Sequence, residues 1–331
     1  MNTKISKDNF LSLRYPYYYL FASTKDIYNN FERLRNYNPK IITTNDNFKV
    51  NKFLDKYLIL ELSTNDFKTI NKITDFFSEQ CRVKCFFKTK TNFKSIYDHF
   101  QKDKLIIYNN IIKHNKVLNY NILDEYLYKK YNQCNNFNLP IVVSVLKLFN
   151  GKKYLDFAAG WGDRLIGAIA YGCDEYLGID PSDCMEDKYK TIIDTLTTDK
   201  TKNNFKVIKS GFEEVNNLPD NHFDIVFTSP PFFDLEIYEQ TNSQSVTKFN
   251  TLDKWLNGFL FPSIIKSYKT LSINGYLVLY ISDYQKYKFV KRMKDFIKID
   301  LPGFKYLGAL YWTYKEIKYI SQPTFIWKKI N

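Results

Sequence analysis

Four residues in the second half of the chain, Ser229-Pro230-Pro231-Phe232, end an apolar run, Phe223-Asp224-Ile225-Val226-Phe227-Thr228, with a hydroxyl, two imino acids and an aromatic ring. Consecutive prolines fix φ and carry no N–H, so a strand that reaches them cannot continue its ladder, and the carbonyls there lack local donors. Such carbonyls are free to accept from a ligand. At the carboxyl end of a parallel strand, where such sheets bind their ligands, Ser229 Oγ and the Pro230 carbonyl can both accept from one –NH2 group. Phe232 then offers a face on which a planar base can stack, worth about 1–3 kcal/mol per base. Upstream, Asp156-Phe157-Ala158-Ala159-Gly160-Trp161-Gly162 puts two glycines at a strand-to-helix turn, where backbone N–H groups can approach a ligand at a helix N-terminus. Asp180 closes the next strand, where a carboxylate can accept from both hydroxyls of a ribose. A G-x-G by itself describes a structural turn equally well. The dinucleotide fingerprint needs a further glycine at position 165, which is Leu165 here, so the pattern fits a nucleoside cofactor without a pyrophosphate cradle.

The elements that must position these groups alternate from Lys152 onward. Strands are expected at Tyr154–Phe157, Glu175–Asp180, Phe205–Ile208, Phe223–Thr228 and Tyr276–Ser282, and helices at Asp163–Tyr171, Asp183–Leu196, Leu252–Leu271 and Lys286–Ile299. Near-continuous apolar strands alternating with helices mark a mostly parallel sheet covered on both faces. Two final strands, Tyr306–Tyr314 and Thr324–Lys329, have no long crossover between them and read as an antiparallel hairpin at the sheet edge. No glycine precedes Gly151. In that first part, strands are expected at Tyr57–Leu62 and Val83–Lys88, and helices at Asp26–Tyr37, Asp66–Glu79 and Phe93–Gln101. The division is therefore an N-terminal α+β domain over 1–118, a helical lead-in over 119–150, and an α/β domain over 151–331.

Residues 152–329 resemble class I S-adenosylmethionine-dependent methyltransferases. Ser229-Pro230-Pro231-Phe232 is similar to the Asp/Asn/Ser-Pro-Pro-Tyr/Phe motif of the amino-methyltransferases that modify cytosine N4 or adenine N6. The resemblance implies a Rossmann-like fold with a mostly parallel seven-stranded sheet. It implies S-adenosylmethionine as cofactor, with Asp156, Gly160 and Gly162 at its methionine part, Asp180 on its ribose, and Ala158 also among the cofactor-binding residues. It further implies that Ser229, Pro230, Pro231 and Phe232 hold the target amine, with serine in first place leaning towards cytosine. Motif order matches the group whose recognition domain is not inserted between cofactor and catalytic loops, which leaves residues 1–118 as a candidate recognition domain. Two other readings stand beside a nucleic-acid base as the acceptor: a protein side-chain amide, and a catalytically silent cofactor- or RNA-binding subunit.

Composition bounds these readings without choosing among them. The formal charge of +13 suits DNA or RNA as partner, although abundant Lys, Asn, Ile, Tyr and Phe with scarce Gly, Ala and Arg is also what an AT-rich coding sequence produces. No stretch approaches the roughly 18 consecutive apolar residues of a membrane span, and the N-terminus lacks a signal peptide's apolar core. Five irregularly spaced cysteines argue for unpaired thiols in a reducing, intracellular setting rather than a disulfide framework. Cys81, Cys85, His99 and His114 lack the second pair a zinc site needs, so no metal is expected. His99, His114 and His222 accompany no nucleophile. Asp234, Glu236 and Tyr238 are candidates for the substrate pocket, Glu239–Asn250 reads as connecting loop or lid, Asp283 as a helix cap, and Trp161 as a core aromatic near the cofactor.

Overall fold

Phe223–Thr228 forms the strand that the double proline ends, and eight further strands join it in one sheet, within a computed structural model that describes residues 4–16, 23–42, 57–87, 94–115, 117–131, 134–239, 241–285, 287–317 and 319–331. In chain order the strands are β1 (Lys40–Ile42), β2 (Tyr57–Leu62), β3 (Phe86–Phe87), β4 (Lys153–Asp156), β5 (Glu175–Asp180), β6 (Phe205–Lys209), β7 (Phe223–Thr228), β8 (Glu236–Ile237), β9 (Leu271–Tyr280), β10 (Phe304–Tyr314) and β11 (Thr324–Lys329). The main sheet runs β1-β2-β10-β11-β9-β7-β4-β5-β6, and β3 pairs with β8 apart from it. Strands β9, β7, β4, β5 and β6 are mutually parallel, whereas β11 is antiparallel to both β9 and β10. This is the expected Rossmann-like α/β architecture with its terminal antiparallel hairpin.

The sheet has nine strands where seven were expected, because two come from the N-terminal region. Strand β2 lies parallel to β10, Leu58 opposite Leu310 and Leu60 opposite Trp312, and β1 closes the edge antiparallel to β2. Leu60 and Leu62 are buried in the same core as Leu310 and Trp312.

Helices α1 (Lys7–Ser12), α2 (Thr24–Arg35), α3 (Thr64–Ile70), α4 (Lys72–Arg82), α5 (Ile96–Asn115) and α6 (Tyr120–Tyr131) precede α7 (Leu139–Phe149), which leads into the parallel strands. The single helix expected at Asp66–Glu79 is two, broken at Asn71, whose side chain instead accepts from the Leu139 N–H at 2.9 Å. Of the strand expected at Val83–Lys88 only Phe86–Phe87 pairs, and Lys88 lies outside the described residues, as do Phe93 and Lys286 at the starts of two expected helices. Helices α1, α5 and α6 enclose a separate small core around Phe10, Phe100 and Ile107.

Helices α8 (Asp163–Tyr171) and α9 (Glu186–Leu196) cover one face of the parallel strands. The opposite face carries α11 (Leu252–Trp255), which passes through a π-helical stretch at Leu256–Leu260 into α12 (Phe261–Thr270), and α13 (Val290–Asp300). Strand β9 begins earlier than expected: Asn274 at φ +70° and Gly275 form a bulge against β7 inside the strand instead of a turn before it.

Four of the five cysteines are paired, Cys81 with Cys184 and Cys85 with Cys134, and Cys173 is a buried free thiol. The expectation of unpaired thiols is corrected here. Irregular spacing is informative about small disulfide frameworks, but these bridges join positions 103 and 49 residues apart, which local spacing does not register. The first ties α4, and the second the turn after it, to segments distant in sequence. Among the described residues, no helix is long and apolar enough to cross a membrane, and no cluster of acidic, His and Cys side chains could hold a metal ion.

Candidate active site

Strands β7, β4 and β5 are adjacent, so their carboxyl ends bring the three sequence-distant motifs to one place. They open on one cavity of about 760 Å³, within the range of small-molecule sites. Ala158, Gly160 and Asp180 line it, and so do Ser229, Pro230, Pro231 and Phe232. Asp156 and Gly162 do not.

The turn after β4 is held from below. Asp156 is fully buried, and its carboxylate accepts from Arg164 Nε at 2.8 Å, Tyr176 Oη at 3.1 Å and the Ala158 N–H at 3.3 Å. Arg164 also donates to the Ala158 carbonyl, and its guanidinium lies 5.5 Å from the Phe137 ring centre. Burial opposes the charge on Arg164, but Asp156 beside it holds the guanidinium above its ordinary value. The expected contact between Asp156 and a ligand is therefore replaced by a supporting role: its oxygens are engaged within the turn.

The two glycines serve different ends. Gly160 has φ +58°, and a Cβ there would meet nothing nearer than 3.6 Å, so the left-handed backbone alone calls for glycine beside the cavity. Gly162 has φ +85°, and a Cβ would come within 2.6 Å of Ile192 Cδ1 on α9. Gly162→Ala is expected to lower stability by about 1–3 kcal/mol through strain and overpacking. Chemical denaturation measures this, and an unchanged midpoint would show that the loop relaxes freely.

Asp180 is half-buried at the end of β5. Its Oδ2 accepts from the Gly160 N–H at 2.8 Å and its Oδ1 from the Ser182 N–H at 3.0 Å. Burial raises its carboxyl to about 6, against the pull of those two amides. The following loop is fixed by Glu239, which accepts from the Asp183 and Cys184 N–H groups at 3.2 and 3.1 Å and from Ser182 Oγ.

At the end of β7 the chain turns through Phe233 at φ +54°, a conformation rare for an aromatic residue. Phe233 is 3% exposed and packs on Tyr287 and Trp255 at 5.1 and 5.9 Å between ring centres. That anchor turns the two prolines towards the cavity. Among the described residues no protein group donates to Ser229 Oγ or to the Pro230 carbonyl, leaving both as available acceptors beside the Phe232 ring.

No family model matches the chain, and no curated protein does. Solved structures do match part of it. TrmN from Thermus thermophilus aligns over 59% of this chain and 49% of its own at 14% identity, with a TM-score of 0.39. A Pyrococcus horikoshii protein named for RNA methyl transfer aligns over 58% and 83% at 17% identity, TM-score 0.36. An S-adenosylmethionine-dependent methyltransferase from Mesorhizobium loti aligns over 42% and 50% at 17% identity, TM-score 0.29. Identities and scores this low decide neither substrate nor reaction, so the chemistry of this chain rests on its own residues.

Several of those residues fall where the sequence pointed, with altered roles. Asp234 is spent on a hydrogen bond from Tyr284 Oη, whereas Glu236 and Tyr238 do line the cavity. Tyr238 Oη donates to Glu236 at 2.8 Å, and burial pushes that carboxyl up to about 7. Trp161 is buried, lines the cavity and meets the Tyr238 ring edge-on at 5.7 Å. Asp283 caps α13 by accepting from the N–H groups of Phe289 and Val290 at 2.8 and 2.9 Å. Segment 239–250 carries a short helix, α10 (Ser245–Lys248), tied down by Trp255 Nε1 donating to Ser245 Oγ at 3.2 Å; Gln240 lies outside the described residues. His222 pairs with Glu175 at 2.6 Å and His99 stacks on Tyr131, neither of them lining the cavity.

Sequence reasoning missed Arg164 and Glu239. Arg164 was hidden inside an apolar helical run, and an arginine followed by Leu-Ile-Gly-Ala-Ile is itself a signal that its charge is paired. It also missed the roof. Helices α3 and α4 and the segment Asn135–Asn138 line the cavity opposite the parallel strands. The side-chain oxygen of Asn138, a residue 4% exposed, is buried without a hydrogen-bond partner among the described residues.

Proposed function

We propose that the protein methylates an exocyclic amino group of a nucleic-acid base, cytosine N4 in preference to adenine N6, with S-adenosylmethionine as methyl donor. The observation that carries this is the meeting of Gly160, Asp180 and Ser229–Phe232 on one cavity. The residues present fit a nucleoside cofactor. Asp180 keeps lone pairs for two ribose hydroxyls after its two backbone bonds, Gly160 leaves the turn open, and apolar Met185 and Phe212 flank the cavity there. When bound, S-adenosylmethionine supplies an electrophilic sulfonium methyl.

The chain's own residues then have a limited task. An exocyclic amine is a poor nucleophile because its lone pair is delocalised into the ring. Ser229 Oγ and the Pro230 carbonyl accept its two hydrogens, which favours the pyramidal amine and frees the lone pair. Phe232 holds the base plane. Positioning and fixed dipoles carry the acceleration; the methylated nitrogen is strongly acidic until it loses its extra proton to solvent, so no strong base is required. A duplex base must leave the stack to reach this depth. Residues 1–118, which supply much of the roof, serve as the recognition region in this reading.

The test is incubation with labelled S-adenosylmethionine and DNA or RNA, followed by mass spectrometry of the nucleosides. N4-methylcytosine is the expected product. Label that enters only protein would overturn the reading in favour of a side-chain amide. A pH effect follows as well. Ribose hydroxyls donate to Asp180 only as carboxylate, so cofactor affinity should be level above pH 7 and fall about tenfold per unit below pH 6. Calorimetry between pH 5 and 8 would show this, and a level affinity throughout would remove Asp180 from the cofactor site.

A further inference from the structure

The cavity is lined by aromatic rings from the Ser-Pro-Pro-Phe motif to its mouth. Phe232 lies 5.9 Å from Tyr280, Tyr280 stacks on Trp312 at 5.1 Å, and Tyr314 lies 5.4 Å from Tyr319. Trp312 and Tyr314 are alternate residues of β10 and line the same cavity. The inner rings are covered, Trp312 being 5% exposed, whereas Tyr319 at the mouth is 42% and Tyr128 51% exposed. Ile317, 51% exposed, lies beside them. A contiguous exposed apolar patch at a cavity mouth marks a binding surface. A cation shares this rim: Lys68 on α3 lines the cavity and is exposed.

Charge selects the occupant. Two of the cavity carboxylates are committed to ion pairs, Asp75 with Arg82 at 2.6 Å and Glu213 with Lys248 at 3.0 Å, and burial raises the carboxyl of Asp163 to about 6. Among the described residues Lys68 has no ion-pair partner, so the rim offers positive charge beside open ring faces. Stacked bases in a duplex present only their edges to a protein, whereas unstacked bases can lie on aromatic faces while lysines follow the phosphates.

We infer that this rim is a platform for single-stranded nucleic acid. Nucleotides flanking the target stack on Tyr319 and Tyr128, and Lys68 holds the backbone as the target base passes inward to Phe232. This rests on the function proposed above and adds the strand form and the residues that grip it. Restacking the neighbours on tyrosine offsets part of the cost of unstacking the target.

Fluorescence anisotropy with labelled oligonucleotides of about 12 nucleotides, within the site sizes of single-strand binders, tests this on the full chain. Wild-type protein should bind the single strand at least about tenfold more tightly than its duplex. Tyr319→Ala and Tyr128→Ala should each weaken single-strand binding by about 5- to 150-fold. Lys68→Glu should lower the slope of log affinity against log salt by about one or more. Cofactor affinity and melting temperature should stay at wild-type values in all three variants. Equal binding of strand and duplex, or wild-type strand affinity in the variants, would overturn the inference. Methylation of nucleic acid with unchanged KM in the rim variants would sink the platform and leave the amine reading standing. Rim-dependent strand binding with no methylated base would do the reverse.

Discussion

Ser229→Ala is expected to lower kcat about 10²- to 10³-fold, the usual cost of removing one preorganised polar partner of a reacting group, while leaving cofactor affinity and KM near wild type. The reasoning is differential. The hydroxyl is open to the cavity and makes no hydrogen bond to protein among the described residues, so its removal breaks nothing in the fold. It should act where the amine turns pyramidal, which is a change between ground and transition state and so a change in kcat. The Pro230 carbonyl remains, which keeps the loss short of complete. Single-turnover methyl transfer with saturating cofactor measures it. A rate within about threefold of wild type would mean that Ser229 is not an acceptor for the amine.

Arg164→Ala should be the most damaging substitution to the fold at the site. Arg164 is 3% exposed and Asp156 0% exposed, and among the described residues their contact at 2.8 Å is supplemented only by Tyr176 and one backbone amide on the carboxylate. Removing one partner of such a buried pair leaves an uncompensated charge, at a cost of about 3–5 kcal/mol, or on the order of 10 °C in melting temperature. Adding Asp156→Asn should recover part of that loss, because a neutral amide tolerates the vacated space better than a carboxylate. Differential scanning calorimetry of the three proteins decides the matter. If the double variant melts no higher than Arg164→Ala, the damage is lost packing and not stranded charge. Lysine is no substitute here, since one ammonium cannot reproduce the planar contact with both Asp156 and the Ala158 carbonyl.

The parallel half of the molecule was legible because its signals are local. Phe223–Thr228, Glu175–Asp180 and Asp163–Tyr171 each begin and end where the apolar runs and their flanking Gly, Asp and Pro say they should. The meeting of Gly160, Asp180 and Ser229 was legible for the same reason, since adjacent parallel strands carry their loops to one edge. Roles within the site were less so. Asp156 and Gly162 belong to the motif by type and position, yet one is engaged by Arg164 and the other is required by Ile192, and both facts depend on packing between elements. The bridges Cys81–Cys184 and Cys85–Cys134 were invisible for a related reason: a thiol's partner brought near only by packing between distant segments leaves no trace in its own sequence surroundings. The mouth aromatics Tyr128 and Tyr319 went unremarked because a chain with 27 tyrosines gives no single one prominence.

The pairing of β2 with β10 sets an order of events on the ribosome. Residue 57 is synthesised about 250 residues before its partner at position 309, an interval on the order of tens of seconds at ordinary elongation rates. Throughout that time Leu58-Ile59-Leu60 lacks its inner neighbour β10 and has only the short β1 beside it, and contacts this distant in sequence form slowly even once both partners exist. The nascent N-terminal segment is therefore the part most exposed to wrong partners, and its protection is a matter of synthesis rate and chaperone access as much as of final stability.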